Sequence, residues 1–270
     1  VDGRYECRQP WKCLPASEPT MPDNRRQVLK RFLNLQQRFQ RDPKYFKEYH
    51  RAMQKYFNGV CAERVPDEEL IMAPGRFFYR AHHSVPNGPK DLRVVFDTSM
   101  SVSGRSLSSM INTGPDLLNP LLDVLIRFRL HDIPVSCDLS AFYHSVDIPE
   151  TDRNFYRFFW FRNQDDPTSP IMEFRLRIHL FGGNSSQSCV IHCLWDIISH
   201  AIEKAILSRQ EAEQIKLSFY SDDCLRSFTS TADAIQTYKI LVPLLRENDF
   251  HLTKFTSSSV DFLKALPPDL

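Results

Sequence analysis

The chain has 270 residues, of which 42% are hydrophobic and 25% are charged, and its 34 basic and 33 acidic side chains leave a formal net charge of +1. This composition is that of a folded globular protein and excludes a disordered or collagen-like chain. Glycine is scarce, at 8 residues or about 3% against a typical usage of roughly 7%. No GxGxxG or GxxxxGKS/T motif occurs, which excludes the P-loop and Rossmann designs that cradle phosphates in glycine-rich loops.

The total charge of +1 hides an uneven distribution along the chain. Residues 21–60 contain ten Lys or Arg and three Asp or Glu, a local charge of +7. Residues 1–80 carry +6 and residues 81–270 carry −5. A basic segment of this kind is either a solvated helix face or a surface that faces phosphates, and both interpretations stay open. Near-neutrality of the whole chain therefore does not exclude a nucleic-acid partner.

The first predicted elements are two helices that follow an irregular, proline-containing arm over residues 1–20. The Pro-Asp-Asn sequence at 22–24 supplies a cap, and the next apolar residues follow at the spacing of one helix face, at 28, 32, 35 and 39. Asp42-Pro43 predicts the start of a second helix with a face at 46, 49, 53 and 56, and Asn58-Gly59 predicts its end. The two helices form a basic helical hairpin.

From about residue 77 the pattern changes to alternating strands and helices, which indicates an α/β or α+β domain. We predict strands at 92–96, 134–138, 154–161, 172–181 and 250–255, a hairpin over 216–228, and helices beginning near 120 and covering 186–206 and 232–247. The sequence therefore predicts two domains, the arm with the helical hairpin over 1–76 and the mixed domain over 77–270.

The ends of the chain and its cysteines favour an intracellular protein. No leader and no run of about 18 apolar residues occurs, so we expect neither secretion nor a membrane partner. The seven cysteines are widely spread without a CxxC pair, which favours a reducing compartment over a disulfide framework. Cys189, His192 and Cys193 share one helical turn, but with no second ligand pair nearby they are better interpreted as part of a core helix than as a zinc site. The absence of an initiator Met predicts a fragment or a piece processed from a longer chain.

Three carboxylates occupy positions where a charge is costly. Asp138 ends an apolar strand, and Asp222 and Asp223 interrupt an otherwise apolar hairpin. Like charges at the end of a β element repel one another unless a cation compensates them, and Mg²⁺ prefers one or two protein carboxylates together with water and phosphate oxygens. The pattern alone does not decide for a two-metal site, because a further acidic pair, Asp165-Asp166, is most simply a turn.

The string FYSDD at 219–223 resembles the F-Y-x-D-D motif of reverse transcriptases. Further blocks, in the expected order, resemble the polymerase part of the BEL/Pao class of long-terminal-repeat retrotransposons. They are GRYECRQPWK at 3–12, LRVVFDTSMSVSGRSL at 92–107, TGPDLLNPLLDVLIRFRLHDIPVSCDLSAFYHSV at 113–146, DRNFYRFFW at 152–160, HLFGGNSSQS at 179–188, YSDD at 220–223 and DFHLTKFTSSS at 249–259. This resemblance covers essentially the whole chain. It implies an α+β fold with the fingers and the antiparallel palm sheet of a right-hand polymerase, preceded by the basic helical hairpin, and a thumb that is missing or incomplete.

The resemblance implies a catalytic site with two bound ions, Mg²⁺ or Mn²⁺. Asp138, Asp222 and Asp223 match the three metal-binding carboxylates of the family. Lys254 matches a lysine that protonates the pyrophosphate leaving group, although without the family it is one more surface lysine.

The resemblance also implies nucleotide-binding residues. Arg93 matches an arginine that contacts the incoming triphosphate, and Tyr143 matches an aromatic residue that crowds the sugar 2′ position and favours deoxynucleotides. Gly182 and Ser186 match the segment that lines the nucleotide and the template. Taken alone, Arg93 is an outward-facing strand residue and Tyr143 a core residue. The chain departs from the family at several positions near this site, for example Gln187 in place of a proline, so the geometry of the nucleotide pocket is less firmly implied than metal binding.

The implied function is that of an RNA-directed DNA polymerase, a nucleotidyltransferase that extends a primer 3′-OH with deoxynucleoside triphosphates on an RNA or DNA template. The resemblance places it in a retrotransposon pol polyprotein with ribonuclease H and integrase, in cytoplasmic virus-like particles or in the nucleus. The chain stops soon after the lysine strand, so we expect the fragment alone to grip primer and template poorly. One alternative is an inactive or co-opted fragment that binds nucleic acid through residues 21–60 without catalysis. Another is a different two-carboxylate enzyme, such as a nuclease.

Overall fold

A computed structural model describes residues 3–12, 19–59, 61–88 and 91–267. The chain divides into two compact units. We call the first the β-sheet unit, which consists of Val1–Cys7, Gly114–Val146 and Ser186–Leu270, and the second the helical-hairpin unit, which consists of Arg8–Thr113 and Asp147–Ser185. The units are defined by contacts within the chain, and neither of them begins or ends at residue 76. The predicted domains over 1–76 and 77–270 therefore stay a prediction.

Helices and strands are mixed along the chain. The helices are α1 Arg25–Arg41, α2 Pro43–Asn58, α3 Leu107–Met110, α4 Leu121–Phe128, α5 Glu150–Arg153, α6 Ser186–Glu203, α7 Arg209–Lys216, α8 Thr231–Arg246 and α9 Val260–Ala265. The strands are β1 Tyr5–Glu6, β2 Ala62–Arg64, β3 His82–Pro86, β4 Leu92–Phe96, β5 Ser101–Val102, β6 Arg105–Ser106, β7 Ile133–Ser140, β8 Val146–Asp147, β9 Arg157–Phe161, β10 Ile171–Leu176, β11 Phe219–Tyr220, β12 Asp223–Phe228 and β13 His251–Ser257. The sheet pairings in both units are antiparallel, so the predicted α+β class is confirmed.

The predicted helical hairpin is confirmed in the helical-hairpin unit as α1 and α2. Their apolar faces pack on the fully buried strand β9 through aromatic side chains. The ring of Phe32 lies 5.2 Å from that of Phe161, and the ring of Tyr49 stacks on Trp160 with centroids 5.9 Å apart. Such aromatic pairs contribute about 0.5–1.5 kcal/mol each beyond their buried area. Packing on β9, rather than helix propensity alone, therefore holds the hairpin together.

The cap of α1 differs from the prediction. Asn24 occupies the N-cap position but its side chain makes no capping hydrogen bond. Its amide instead bridges the backbone of Tyr79, donating to the carbonyl oxygen and accepting from the N–H, both at 2.8 Å. Asp23 is the residue beside the first turn that accepts a bond, from the Arg25 N–H at 2.9 Å. Asn24 is fully buried, and the buried peptide groups of Tyr79 need partners more than an exposed helix end does.

The strands predicted at 154–161 and 172–181 are shorter in the structure. Residues 154–156 form a 3₁₀ turn before β9, and β10 ends at Leu176. Both β9 and β10 contain a buried arginine among their apolar residues. Arg175 lies 2.6 Å from both Glu63 and Glu69, and Arg157 lies 3.3 Å from Glu173. Paired in this way the guanidinium groups tolerate burial, whereas removal of one partner from such a pair costs about 3–5 kcal/mol.

The β-sheet unit contains a four-stranded antiparallel sheet in the order β11-β12-β7-β13. Along β7 every second residue is buried, at Val135, Cys137 and Leu139, so this face of the strand contacts the core. Buried side chains of α6 and α8 belong to the same core. Polar residues of β7 therefore alternate onto the opposite side of the strand. Within the described ranges, no helix of either unit is long and apolar enough to cross a membrane.

Candidate active site

Asp138 and Asp223 lie directly opposite each other on neighbouring strands. The antiparallel register of β7 and β12 pairs Asp138 with Asp223 and the buried Cys137 with the buried Cys224. Because side chains alternate along a strand, the cysteines turn towards the core and the carboxylates turn away from it. The apolar pattern of the two strands thus brings two carboxylates together at one edge of the core. The Asp138 side chain is 21% exposed.

Asp222 lies in the turn between β11 and β12, next to Asp223. Ser221 in this turn has a φ of +55°, which is the left-handed region that residues other than glycine rarely adopt. The Leu139 N–H donates to the Asp222 carbonyl oxygen at 2.8 Å, so the turn is held against β7. The strained backbone of Ser221 is therefore supported by the sheet, and Asp222 is positioned next to the Asp138–Asp223 pair.

Lys254 places a positive charge beside the three carboxylates of Asp138, Asp222 and Asp223. Its Nζ donates to Asp138 Oδ2 at 2.9 Å, although the lysine side chain itself is 75% exposed. The residue has a φ of +56° and lies where the register between β13 and β7 shifts, between Thr253 and Thr256. A β-bulge of this kind redirects a side chain, and here it turns the ammonium group towards the carboxylates.

The electrostatics of the site are those of an under-compensated anion. Burial raises the pKa of Asp223, and the charges of Asp222 and Asp138 raise it further, while Lys254 opposes them. The hydrogen bond to Asp138 raises the pKa of Lys254, with smaller contributions from the other two carboxylates. Three carboxylates thus face one ammonium group, and they retain attraction for further cations.

The donor set of this site suits a hard divalent cation. Carboxylate oxygens are the ligands that Mg²⁺ and Mn²⁺ prefer, and Mg²⁺ needs only one or two of them because water and substrate phosphates complete its shell. The ammonium group of Lys254 already occupies one carboxylate oxygen as a cation does. Asp138, Asp222 and Asp223 are therefore compatible with the metal-binding role that the sequence predicts.

Tyr143 lies beside the Asp222 turn. It belongs to a 3₁₀ turn over Phe142–Ser145 that follows β7, and its half-buried side chain is hydrogen-bonded to Ser221. Burial raises the pKa of Tyr143, the bond to Ser221 lowers it, and the charge of Asp222 raises it. Ser221 was not among the predicted site residues; its place between the Tyr and the two Asp residues of FYSDD is the signal that marks it.

Two predicted nucleotide-binding residues lie close together in the helical-hairpin unit. Arg93 is exposed on β4, and its guanidinium group lies 5.9 Å from the centroid of the exposed Phe181 ring. Gly182 follows this ring with a φ of +78°, a conformation that glycine adopts without strain. The structure places Ser186 in the β-sheet unit, as the first residue of α6, with only 3% of its surface exposed.

Arg31 on α1 and Asp97, the residue after β4, form an ion pair that the sequence did not predict. Asp97, next to the end of the strand, accepts from Arg31 Nη1 at 2.8 Å and from the Ser99 N–H and hydroxyl. Burial raises the pKa of Asp97, but the bonds from Arg31 and Ser99 outweigh it and lower the pKa overall. The pair joins α1 to β4 and removes one cation from the basic surface of the hairpin.

The interpretation of the cysteines on α6 as core residues agrees with their burial. Cys189 and Cys193 are buried in the described part of α6, whereas His192 is exposed on another face of the helix. The three residues therefore do not converge on a common metal position.

The comparisons with known proteins show the fold. No protein-family model and no curated protein matches the chain. A solved structure of a foamy viral protease–reverse transcriptase, described as a complex with double-stranded DNA, superimposes with a TM-score of 0.53 at 14% sequence identity. The match covers 75% of this chain and 30% of the other, so this chain spans about a third of that protein. The chain therefore has a reverse-transcriptase-like α+β fold.

Proposed function

We propose that the chain is the catalytic core of an RNA-directed DNA polymerase, which transfers deoxynucleotides from their triphosphates to a primer 3′-OH on an RNA or DNA template. The observation that carries this proposal is the register that sets Asp138 opposite Asp223, with Asp222 in the adjoining turn, on the sheet of a reverse-transcriptase-like fold. In the same proposal this sheet is the palm, the helical-hairpin unit contributes fingers, and a thumb is missing or incomplete.

Asp138, Asp222 and Asp223 are the residues that would hold two Mg²⁺ or Mn²⁺ ions. When bound, the ions would activate the primer hydroxyl and stabilise the charge that develops on the departing pyrophosphate. The protein's own contribution is to fix the three carboxylates against β7 and to keep their charge only partly compensated, so that the site attracts cations.

We assign proposed roles to the other predicted site residues from their positions in the structure. Lys254 holds its Nζ 2.9 Å from Asp138 and is proposed to protonate the pyrophosphate leaving group. Tyr143, fixed by Ser221, is proposed to exclude a 2′-hydroxyl. Arg93 is exposed and able to attract a triphosphate, and Gly182 and Ser186 are proposed to line the nucleotide and the template.

The wider context is also a proposal. Following the resemblance to BEL/Pao elements, the chain would be part of a pol polyprotein with ribonuclease H and integrase and would act inside the cell, in virus-like particles or in the nucleus. The BEL/Pao assignment rests on the ordered sequence blocks and the polymerase assignment on the fold and the carboxylates.

A primer-extension assay tests the polymerase proposal. We expect the chain to extend a labelled primer on RNA and DNA templates with Mg²⁺ or Mn²⁺, and Asp222→Asn to abolish extension. Asp165→Asn, which changes an exposed acidic residue of the helical-hairpin unit, is the matched control and should extend normally. Extension that survives Asp222→Asn would refute the assignment of the carboxylates. Cleavage of a labelled duplex in the absence of nucleotides would indicate a nuclease instead.

A second candidate function is nucleic-acid binding without catalysis, and the surface of α2 favours it. Lys44, Lys47, Arg51 and Lys55 are all exposed and recur at intervals of three and four residues, which places them along one side of the helix. Arg51 and Lys55 approach Asp91 at 3.5 and 3.9 Å, so the stripe is only partly neutralised. A row of exposed cations along one helix face is a surface that can neutralise the phosphates of a nucleic acid.

Binding measured against salt concentration tests whether the stripe contacts phosphates. Replacing all four residues of the stripe with Gln should reduce the slope of log Kd against log salt by roughly 0.7–0.9 for each phosphate that the stripe neutralises. If the stripe variant binds a primer–template with an unchanged salt slope, the surface does not contact phosphates. Asp222→Asn should bind with the original slope, because it alters the reaction site and not the stripe.

A further inference from the structure

A cavity of about 370 Å³ lies at the end of the four-stranded sheet that is remote from the carboxylates. Among its lining residues are Arg127 at the end of α4, Arg226 and Phe228 on β12, and Asp233 on α8, all within the β-sheet unit. Asp223 begins β12, and the lining residues of this strand run from Leu225, about 7 Å of strand away, to Phe228, about 17 Å away. None of the three site carboxylates lines the cavity. It is therefore a different site from the proposed reaction centre.

Arg226 is an unusual residue for its position in the sheet. It lies between Cys224 and Phe228 on the same face of β12, and both of these neighbours are buried core residues. Its Nη1 atom is buried and has no hydrogen-bond partner among the described residues. Burial lowers the pKa of Arg226, and the opposing charges of Tyr238, Cys224 and Glu211 do not make up for this lowering.

No described carboxylate forms an ion pair with Arg226. A guanidinium group cannot escape this cost by losing its proton, because arginine remains charged in proteins. The guanidinium carbon lies 4.7 Å from the centroid of the Phe228 ring, which compensates part of the charge, but the Nη1 atom still has no acceptor in the described part of the chain. Arg226 therefore has a free hydrogen-bond donor that an anion could use.

The rest of the lining adds positive charge and partly engaged donors. Arg127 contacts the Leu217 carbonyl oxygen at 3.5 Å and Asp123 at 3.9 Å, both long for strong bonds. Asp233 is the acidic residue of the lining, and its Oδ2 atom already accepts from the Thr229 and Ser230 hydroxyls at the start of α8. Two arginines against one engaged carboxylate leave the cavity with a net positive charge.

We propose that this cavity binds a phosphate group, held between Arg226 and Arg127, of a small phosphomonoester. Phosphate is favoured because its oxygens match the planar donor fork of arginine and its double charge compensates two guanidinium groups at once. The cavity volume lies at the lower end of the range for small-molecule sites and exceeds that of a phosphate ion. Leu130, Leu225 and Phe228 provide an apolar wall for the organic part.

Titrations with inorganic phosphate, adenosine monophosphate and adenosine test this proposal without any divalent metal, at constant ionic strength set with chloride. We expect both phosphate-bearing probes to raise the Tm and to give a Kd by calorimetry, and adenosine to do neither. Binding of phosphate alone identifies the inorganic ion as the source of the group, and tighter binding of the nucleotide identifies the phosphomonoester. Adenosine binding as tightly as the nucleotide would overturn the proposal, as would no binding of either phosphate probe.

Two variants locate the binding. Arg226→Met and Arg127→Gln should each weaken binding of the tighter phosphate probe at least tenfold. Arg129→Gln, at an exposed arginine outside the cavity lining, is the matched control and should bind as the original chain does. Equal binding by Arg226→Met and the original chain would overturn the assignment, because the anion would then lie elsewhere.

The stability of Arg226→Met without ligand gives a readout that a structural role would not produce. Replacing a partly buried cation that has no ion-pair partner among the described residues should raise the Tm in phosphate-free buffer, since apolar replacement of buried charges often increases stability. A merely structural arginine would lower the Tm when replaced. None of these measurements depends on polymerase activity, so the result stands apart from that of the primer-extension assay.

Discussion

Lys254 places its Nζ 2.9 Å from Asp138 Oδ2, so that the ammonium group is hydrogen-bonded to the first of the three site carboxylates. A metal ion that binds Asp138 must compete with this contact. We predict that Lys254→Gln binds Mn²⁺ more tightly than the original chain, by no more than about fivefold, because an exposed ion pair is weak. Calorimetric titration with Mn²⁺ measures this difference.

The same variant should lose catalysis while it gains metal affinity. If Lys254 protonates the leaving group, primer extension by Lys254→Gln should fall by about 10²–10⁴ at saturating metal. Lys264→Gln, at an exposed lysine of α9, is the control for loss of one positive charge. Unchanged Mn²⁺ affinity in Lys254→Gln would show that the contact with Asp138 does not oppose metal binding.

Tyr143 and Ser221 provide a prediction about sugar selection. Tyr143→Ala should lower the preference for deoxynucleotides over ribonucleotides at least tenfold, because the half-buried ring that limits space beside Asp222 is removed. Tyr143→Phe keeps the ring without the bond to Ser221, and it should keep most of the preference. Single-nucleotide incorporation kinetics with the two triphosphates give the ratio of kcat/KM values. Equal preference in Tyr143→Ala and the original chain would place the sugar elsewhere.

Local patterns predicted many elements because their signals are short in range. The spacing of Val28, Phe32 and Phe39 predicts α1, and the LRVVF string coincides with β4. The polar helix α7 was missed although Ser208 and Glu211 form a capping box, because only two of its side chains are buried and it has little apolar periodicity. The short strand β2 was missed because it pairs with β10, far away in the chain. The strand β3 was missed although it pairs with the neighbouring β4.

The candidate site needed information that no local pattern holds. The pairing of Asp138 with Asp223 joins residues far apart in the sequence, and it follows from the alternation of buried residues on both strands only once their register is known. The bulge that turns Lys254 towards Asp138 contains no glycine, so the sequence does not indicate it. Resemblance to a family supplied both carboxylate and lysine candidates, whereas composition and spacing alone identified only a costly charge pattern.

Asn24 gives a prediction about stability in the helical-hairpin unit. Asn24→Ala removes both hydrogen bonds to the backbone of Tyr79 and leaves a buried N–H and a buried carbonyl unsatisfied. We expect a loss of roughly 2–4 kcal/mol in the free energy of unfolding, since each unsatisfied group costs about 1–3 kcal/mol. Asp23→Ala, which removes one exposed bond to Arg25, should cost about 1 kcal/mol or less. Urea denaturation compares the two, and equal losses would show that Asn24 acts as an ordinary helix cap.

His82 makes the stability of the helical-hairpin unit depend on pH. Its ring is buried between the Tyr49 hydroxyl, 2.6 Å from Nδ1, and the Phe159 carbonyl oxygen, 3.0 Å from Nε2. This arrangement suits a neutral ring that accepts at Nδ1 and donates at Nε2. Burial lowers the pKa of His82 to about 4, the bond to Phe159 opposes this, and the charges of His83 and Arg31 add to the lowering.

The direction of the pH effect follows from this lowered pKa. The unfolded chain binds a proton on His82 near pH 6.5, whereas the folded chain does so only near pH 4, so the stability present above 6.5 is lost as the pH falls towards 4. The loss from this residue is about 3 kcal/mol at most. The urea midpoint should therefore fall between pH 7.5 and 5, and His82→Gln should flatten part of that fall. In the β-sheet unit, His144 should contribute to the residual slope of the whole chain, because burial and the charge of Arg4 also lower its pKa to about 4. His83→Gln, at the exposed neighbour, should follow the original curve, and a His82→Gln curve with the original slope would place the titration in another residue.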